Sequence, residues 1–154
     1  MKKRIASFEK ITCIPEVEAF YDDIKLPERS TSNSAGYDFY LPYDVTFNPN
    51  ETVKILTGVR AKMEENYVLM IFPRSSLGIK HKLTLDNTVA VIDADYYNAL
   101  NEGHIMLYIT NNSNEVVSLK KGDRFVQGIF LEYGVTYDDN VETKRIGGFG
   151  STNK

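Results

Sequence analysis

VKILTGVRAKMEENYVLMIF, residues 53–72, decides the class of this fold. It contains two runs rich in β-branched, aliphatic and aromatic residues, 53–63 and 67–72, separated by the polar Glu64, Glu65 and Asn66. Short apolar runs bounded by turn-forming residues read as closely spaced strands. The same grammar continues along the chain. HIMLYIT (104–110) and FVQGIFLEY (125–133) are further strand candidates, and NPNE (48–51), NNSNE (111–115) and KKGD (120–123) supply turns. Only PEVEAFYDDI (15–24) suits a short helix, with Pro15 where a first turn tolerates it. The long crossovers that parallel sheets require are missing. The expectation is an all-β, jelly-roll-like sandwich or barrel with one short helix, a single domain over 1–140 and a flexible arm over 141–154.

Composition narrows what such a domain could bind. The chain has 154 residues, of which 42% are hydrophobic and 25% charged, proportions of one ordinary globular domain without a membrane-spanning run. MKKRIASFEK opens basic but has no apolar stretch behind it, so a cytoplasmic location is expected. Cys13 is the only cysteine, which excludes an internal disulfide and a cysteine-clustered zinc site; a buried thiol on a strand is the reading. A net charge of -3 offers no general attraction to nucleic acid or to an anionic membrane, so any phosphate must be held by a local site. His81 and His104 lack metal-pair spacing and read as ordinary surface or sheet residues.

Four internal stretches and the tail carry candidate chemistry. PRSSLG (73–78) follows an apolar strand, so Arg74 offers a guanidinium fork to an anion, with Ser75 and Ser76 adding neutral donors. In NTVAVIDADYY (87–97), Asp93 and Asp95 follow a strand-like run at alternate positions, pointing to one side. Such an aspartate is either a turn-former or a general base. Asn87 has the mixed donor and acceptor character that reads a nucleobase edge, and Tyr96 or Tyr97 could stack on a sugar or base. Gln127 interrupts a strand and faces either solvent or a ligand, while Asp38, in SAGYDFYLP (34–42), either meets a metal's water shell or shapes a turn. RIGGFGSTNK (145–154) spends three glycines in four residues, a poor recipe for a helix or strand but a suitable one for an arm that closes on anionic oxygens.

AGYDF, PRSSLG, NTVAVIDADYY, GDRFVQ and RIGGFGST, in this order across residues 35–152, resemble the five motifs of the homotrimeric dUTP pyrophosphatase (dUTPase) family. That resemblance implies a jelly-roll-like β subunit, a trimer with sites at subunit contacts, and hydrolysis of dUTP to dUMP and pyrophosphate with Mg2+. It also implies roles. Asp93 is the general base that activates water; Asn87 reads uracil, Tyr96 lies under the deoxyribose and Phe149 closes over the base. Arg74, Ser75, Ser76 and Gln127 meet the phosphates, Asp38 stands near the hydrated magnesium, and Arg145, Gly150, Ser151 and Thr152 meet the terminal phosphate. Three departures stand out. Arg145 is one place away from the usual arginine, which leaves Lys144 or Arg145 to contact the γ-phosphate. Ala90 replaces a glycine, and a longer loop, residues 97–104, follows Tyr96. Two other readings of the same scaffold are a nucleotide-sensing regulatory protein, for which that loop is the permissive feature, and a dCTP deaminase relative, against which the glycine-rich tail argues.

Overall fold

A computed structural model describes residues 1–147; Phe149, Gly150, Ser151 and Thr152, expected at the base and the terminal phosphate, lie outside them. In chain order the strands are β1 (Ala6–Lys10), β2 (Glu28–Arg29), β3 (Tyr37–Tyr40), β4 (Val45–Phe47), β5 (Thr52–Leu56), β6 (Val59–Met63), β7 (Tyr67–Pro73), β8 (Leu83–Leu85), β9 (Ala90–Ile92), β10 (Met106–Asn111), β11 (Val117–Leu119) and β12 (Arg124–Glu132). All pair antiparallel, and apart from β2 with β3 every pair joins strands that are not consecutive in the chain, so the sheets are held by long-range pairing. The largest sheet runs β2-β3-β12-β7-β9, a second runs β5-β10-β8, and β1-β6 and β11-β4 form two ribbons. The expected all-β, jelly-roll-like class is what forms, without closure into a barrel.

Layering follows from alternation along the strands. Inward-facing Phe39, Leu69, Ile71, Ile55, Leu107, Ile109 and Phe125 are fully buried. Phe8 of β1 sits 5.4 to 5.7 Å from the rings of Tyr37, Phe39 and Phe130, clamping the β1-β6 ribbon onto the largest sheet through tilted and edge-on contacts.

Residues 53–63, expected as one strand, are two strands in different sheets. Gly58 takes φ +71°, and a Cβ there would run into Ile24, with Phe20 3.1 Å away, so the chain turns a corner that only glycine fits. Regular helix is confined within 15–24 to α1 (Pro15–Glu18) and a 3₁₀ turn, Tyr21–Asp23. PRSSLG, which the sequence marks only as following an apolar strand, opens α2 (Ser75–His81), which buries Leu77 and ends at Lys82 in the left-handed region. Serine and glycine are weak helix formers, so the helix is decided by where Leu77 anchors rather than by propensity.

Two further expectations fail for one reason. Cys13 is exposed and lies beyond the end of β1, and His104 is 2% exposed and precedes β10. Both belong to connecting segments whose burial is set by distant partners. Buried polar groups persist only where hydrogen-bonded, and Asn111 is the clearest case. Its Nδ2 donates to the carbonyls of Phe47, Asn48 and Glu115 at 3.1, 3.2 and 2.8 Å, and its Oδ1 accepts from the Ser113 amide at 3.0 Å. It therefore locks the 48–51 and 111–115 turns together. Asn111→Leu should cost about 3 kcal/mol of unfolding free energy, because buried carbonyls lose their donor; urea unfolding followed by fluorescence measures it, and an unchanged midpoint would refute the latch.

Candidate active site

Two clefts gather most of the candidate residues. The first, about 160 Å³, is formed where β9 ends and includes Asn87, Asp93, Tyr96, His104 and Arg145. The second, about 340 Å³, lies at β3, β12 and the start of α2 and includes Ser34, Asp38, Arg74, Ser75 and Gln127. Asn87 and Asp93 reach the first cleft because β9 pairs with β7, Ile92 opposite Leu69, which stops the strand just before Asp93. Thr88, beside Asn87, takes φ 64°, an unusual state for a β-branched residue that sharpens the turn presenting Asn87.

Asp93 and Asp95 are not alternate strand positions. Asp93 precedes a 3₁₀ turn, Ala94–Asn98, that contains Asp95. Both carboxylates nevertheless converge on one guanidinium: Arg145 Nη2 donates to Asp93 Oδ2 and Nε to Asp95 Oδ1, each at 2.8 Å. The Arg145 side chain is only 10% exposed, against 54% for Asp93. The hydrogen bond to Asp95, then the charges of both aspartates, hold Arg145 above its ordinary value. Lys144 is exposed. Of the two candidate cations, Arg145 is thus the one drawn into a cleft, and it lies on carboxylates rather than in the second cleft.

Tyr96 is 8% exposed, with its ring centroid 5.7 Å from the Arg145 guanidinium. Its phenol donates to the His104 carbonyl at 2.6 Å and accepts from Asn101 Nδ2 at 2.9 Å. Burial raises the phenol's pKa, so it stays a neutral donor. A ring held this way presents a face, not a hydroxyl, to whatever enters.

The second cleft is built by register. Gln127 on β12 faces Asp38 on β3 and Phe72 on β7. Gly36 approaches so closely that a Cβ would strike Gln127 Oε1, which fixes the amide in the cleft. Asp38 is 6% exposed and is flanked by Arg74 Nε at 3.2 Å and Arg124 Nη1 at 3.6 Å. Two cations against one buried anion leave the cleft with a positive balance suited to an anionic ligand. Ser75 joins it; Ser76 is exposed on α2 and is not part of its wall.

Reasoning from sequence missed Arg124, Ser30, Ser34 and His104. Arg124 follows the Gly122-Asp123 turn and so sits at a strand start, a signal that was available. Ser30 and Ser34 belong to the serine-rich 29–36 stretch, whose shape comes from Arg29 Nη1 donating to the carbonyls of Thr31, Ser32 and Ser34 at 2.8 to 3.1 Å. Nothing local announced His104. Its Nε2 accepts from the Gly58 amide at 3.0 Å, and burial pushes its pKa down to about 4.

Among the described residues no group of three or more His, Cys, Asp or Glu is disposed to hold a metal ion, and no helix is long and apolar enough to cross a membrane.

A family model described as dUTPase matches residues 22–153. The deoxyuridine 5'-triphosphate nucleotidohydrolase of Lactococcus lactis subsp. lactis (strain IL1403) is 46% identical over 132 residues, covering 84% of this chain and 88% of that protein. The protein of the same name from Finegoldia magna is 37% identical over 139 residues, covering 82% and 90%. The crystal structure of dUTPase from Streptococcus mutans superposes with a TM-score of 0.73 at 38% identity, covering 84% of this chain and 97% of that one.

His104 makes stability pH-dependent. Above pH 6.5 the imidazole is neutral in both states and its contribution is complete. As pH falls from 6.5 towards 4, the unfolded chain takes up a proton that the folded chain refuses, so up to about 3 kcal/mol is lost, with no further loss from this group below 4. Urea unfolding from pH 7.5 to 4 should lose less stability in His104→Gln than in the wild type; parallel profiles would refute the assignment.

Proposed function

From its membership of the dUTPase family, to which this chain belongs, we infer that it hydrolyses dUTP to dUMP and pyrophosphate, the first cleft taking the nucleoside and the second the phosphates. The observation that carries the division of labour is the convergence of Asn87, Asp93 and Tyr96 on one cleft, apart from Arg74 and Gln127 in the other. Asn87 pairs with the uracil edge, and cytosine would leave those polar groups unpaired. The deoxyribose lies on the Tyr96 ring, which leaves no room for a 2'-hydroxyl. Asp93 takes a proton from water as the water's oxygen attacks the α-phosphorus, and pyrophosphate leaves in line.

Arg145 connects rest to turnover. With its guanidinium on Asp93, the base is engaged; a nucleotide offers phosphate oxygens of higher charge, and moving the guanidinium onto them frees the carboxylate. Arg74, Ser75 and Gln127 position the remaining phosphate oxygens. Phe149 closes over uracil, and Gly150, Ser151 and Thr152 meet the terminal phosphate, as the arm over 141–154 implies.

The donor set of the second cleft fits Mg2+ that arrives with the triphosphate. Both Asp38 oxygens already face arginines, so Asp38 would meet the ion through its water shell, alongside Gln127. Bound there, magnesium offsets charge on the phosphates. A small-molecule nucleotide and this cation are then the ligands, with no role for nucleic acid or membrane, and a cytoplasmic location suits a dUTP substrate.

One chain does not complete the site. Asp93 follows Ile92 on β9, two strands from Gln127 on β12 and displaced along it, roughly 15 Å away by strand geometry. The outer face of the same sheet is apolar, with Val91 56% and Leu131 43% exposed beside Met70, Phe72 and Ile129. A homotrimer that covers this face and sets the base of one subunit against the phosphate cleft of its neighbour resolves both features.

Asp93→Asn should retain dUTP binding by calorimetry while pyrophosphate release falls about 1000-fold, the scale of a lost general base; wild-type turnover would end that assignment. Refolding equal amounts of Asp93→Asn and Arg74→Ala chains together should restore about a quarter of wild-type activity if base and phosphate groups come from different subunits. Mixtures as inactive as their parents would place the whole site within one chain.

A further inference from the structure

Residues 97–104, the loop that departs from the family pattern, fold back under Tyr96 instead of projecting outwards. Gly103 takes φ +73°, and a Cβ on it would lie 2.5 Å from the Tyr96 carbonyl oxygen and 2.8 Å from Tyr97 Cα, so the loop's return presses on the backbone of the ring-bearing turn. Asn101 works in both directions: Nδ2 donates to the Tyr96 phenol at 2.9 Å, and Oδ1 accepts from the Gly103 amide at 3.1 Å. Glu102, at φ 60°, ties the loop to the segment that follows β1. Its Oε1 accepts from the Thr12 amide at 3.3 Å and the Thr12 hydroxyl at 3.0 Å, and its Oε2 accepts from the Cys13 amide at 2.6 Å.

Arg60 closes the assembly from beneath. Its guanidinium carbon lies 3.9 Å from the centroid of the Tyr97 ring, and its Nη2 donates to Glu9 Oε1 at 3.1 Å and to the Tyr97 phenol oxygen at 2.8 Å. Nη1 stands 3.8 Å from Glu102 Oε1 and donates to the Glu102 carbonyl at 3.4 Å. Burial acts to raise the Glu102 carboxyl, but the Cys13 and Thr12 amides and the Thr12 hydroxyl outweigh it and hold it below the usual carboxylate range. The anchor is therefore charged throughout the neutral range.

We propose that residues 97–104 form a brace that sets the height of the Tyr96 ring, with Asn101 and Glu102 as positioning residues for discrimination between a 2'-deoxy and a 2'-hydroxy nucleotide. The inference rests on the reading that Tyr96 underlies the deoxyribose. Its physical basis is that both polar contacts of the phenol, to the His104 carbonyl and from Asn101, are made with this one loop. If the loop slackens, the ring retreats, and a retreat of a few tenths of an ångström begins to admit a hydroxyl. Glu102 holds the loop at its other edge, so its effect on selectivity passes through Tyr96 without any contact with substrate.

The test compares kcat/KM for dUTP and UTP in wild type, Glu102→Ala, Glu102→Gln, Asn101→Ala and Tyr96→Ala. Glu102→Ala and Asn101→Ala should each lower the dUTP-over-UTP ratio about tenfold, within what a displaced positioning group costs, with KM for dUTP rising more than kcat falls. Glu102→Gln, which keeps one carbonyl acceptor, should fall between Glu102→Ala and the wild type. A purely structural role would lower the melting temperature and the active fraction yet leave the ratio unchanged. If Glu102→Ala does not fold, Asn101→Ala carries the test, since it removes one partly buried amide and leaves the hydrogen bonds of Glu102 to Thr12 and Cys13 in place. Folded Asn101 and Glu102 variants with the wild-type ratio, alongside a Tyr96→Ala that loses it, would overturn the brace and leave the reading of Tyr96 intact. An unchanged ratio in Tyr96→Ala would overturn that reading, and the brace with it.

Discussion

The hydrogen bond from the Gly58 amide to His104 Nε2 is the constraint on which the arrangement of the first cleft depends. It forms at the corner where β5 leaves one sheet and β6 enters another, and the Thr57 hydroxyl, donating to the Ile105 carbonyl at 2.6 Å, doubles it. Through this corner the segment entering β10 is pinned beside the strand that leads to β7. The His104 carbonyl is thereby placed where it can receive the Tyr96 phenol. An imidazole serves here as a buried acceptor, which requires it to be neutral; the same burial that removes it from water enforces that state. One corner thus parts β5 from β6 and, two bonds further on, sets the position of Tyr96 in the first cleft.

Electrostatics complements that geometry. Each cleft contains carboxylates already matched with arginine: Asp38 with Arg74 and Arg124, Asp93 and Asp95 with Arg145. Such pairing lets acidic and basic groups share a site without stranding a buried charge. It also defines what a ligand must supply. A polyanionic ligand would have to displace these aspartates from the guanidiniums, since oxygens of higher charge pair with arginine more strongly than a carboxylate does. The overall charge of -3 would disfavour such a ligand at long range, and the local cation excess in the second cleft answers it at short range.

Residue by residue, local signals carried far. Turn residues at 48–51, 64–66 and 120–123 marked where strands end, because Asn, Gly and Asp bend a chain at low cost wherever they stand. Apolar runs at 67–72 and 125–133 announced β7 and β12, the centre of the largest sheet, and the ordered set of short motifs pointed at Asn87, Asp93, Tyr96, Arg74 and Gln127. Illegible were the breaks that depend on partners distant in sequence. Gly58 inside an apolar run looks like any strand glycine until Ile24 and Phe20 fill the space beside it. Ser75–His81 has too little helix propensity to declare itself. Cys13 looks like core, yet its amide is held by Glu102, a residue 89 positions away.

The sequence by itself determined the class of the fold, the strand-forming segments and the residue types that carry the chemistry, since periodicity and turn preference act within a few residues of the chain. Tertiary structure alone decided that Asp93 and Asp95 share one arginine, that Gln127 is wedged against Gly36 beside Asp38, and that His104 is a neutral acceptor. Those outcomes depend on which strands become neighbours and which groups lose contact with water. Both are properties of the assembled chain, because desolvation and long-range pairing have no counterpart in a local stretch of residues.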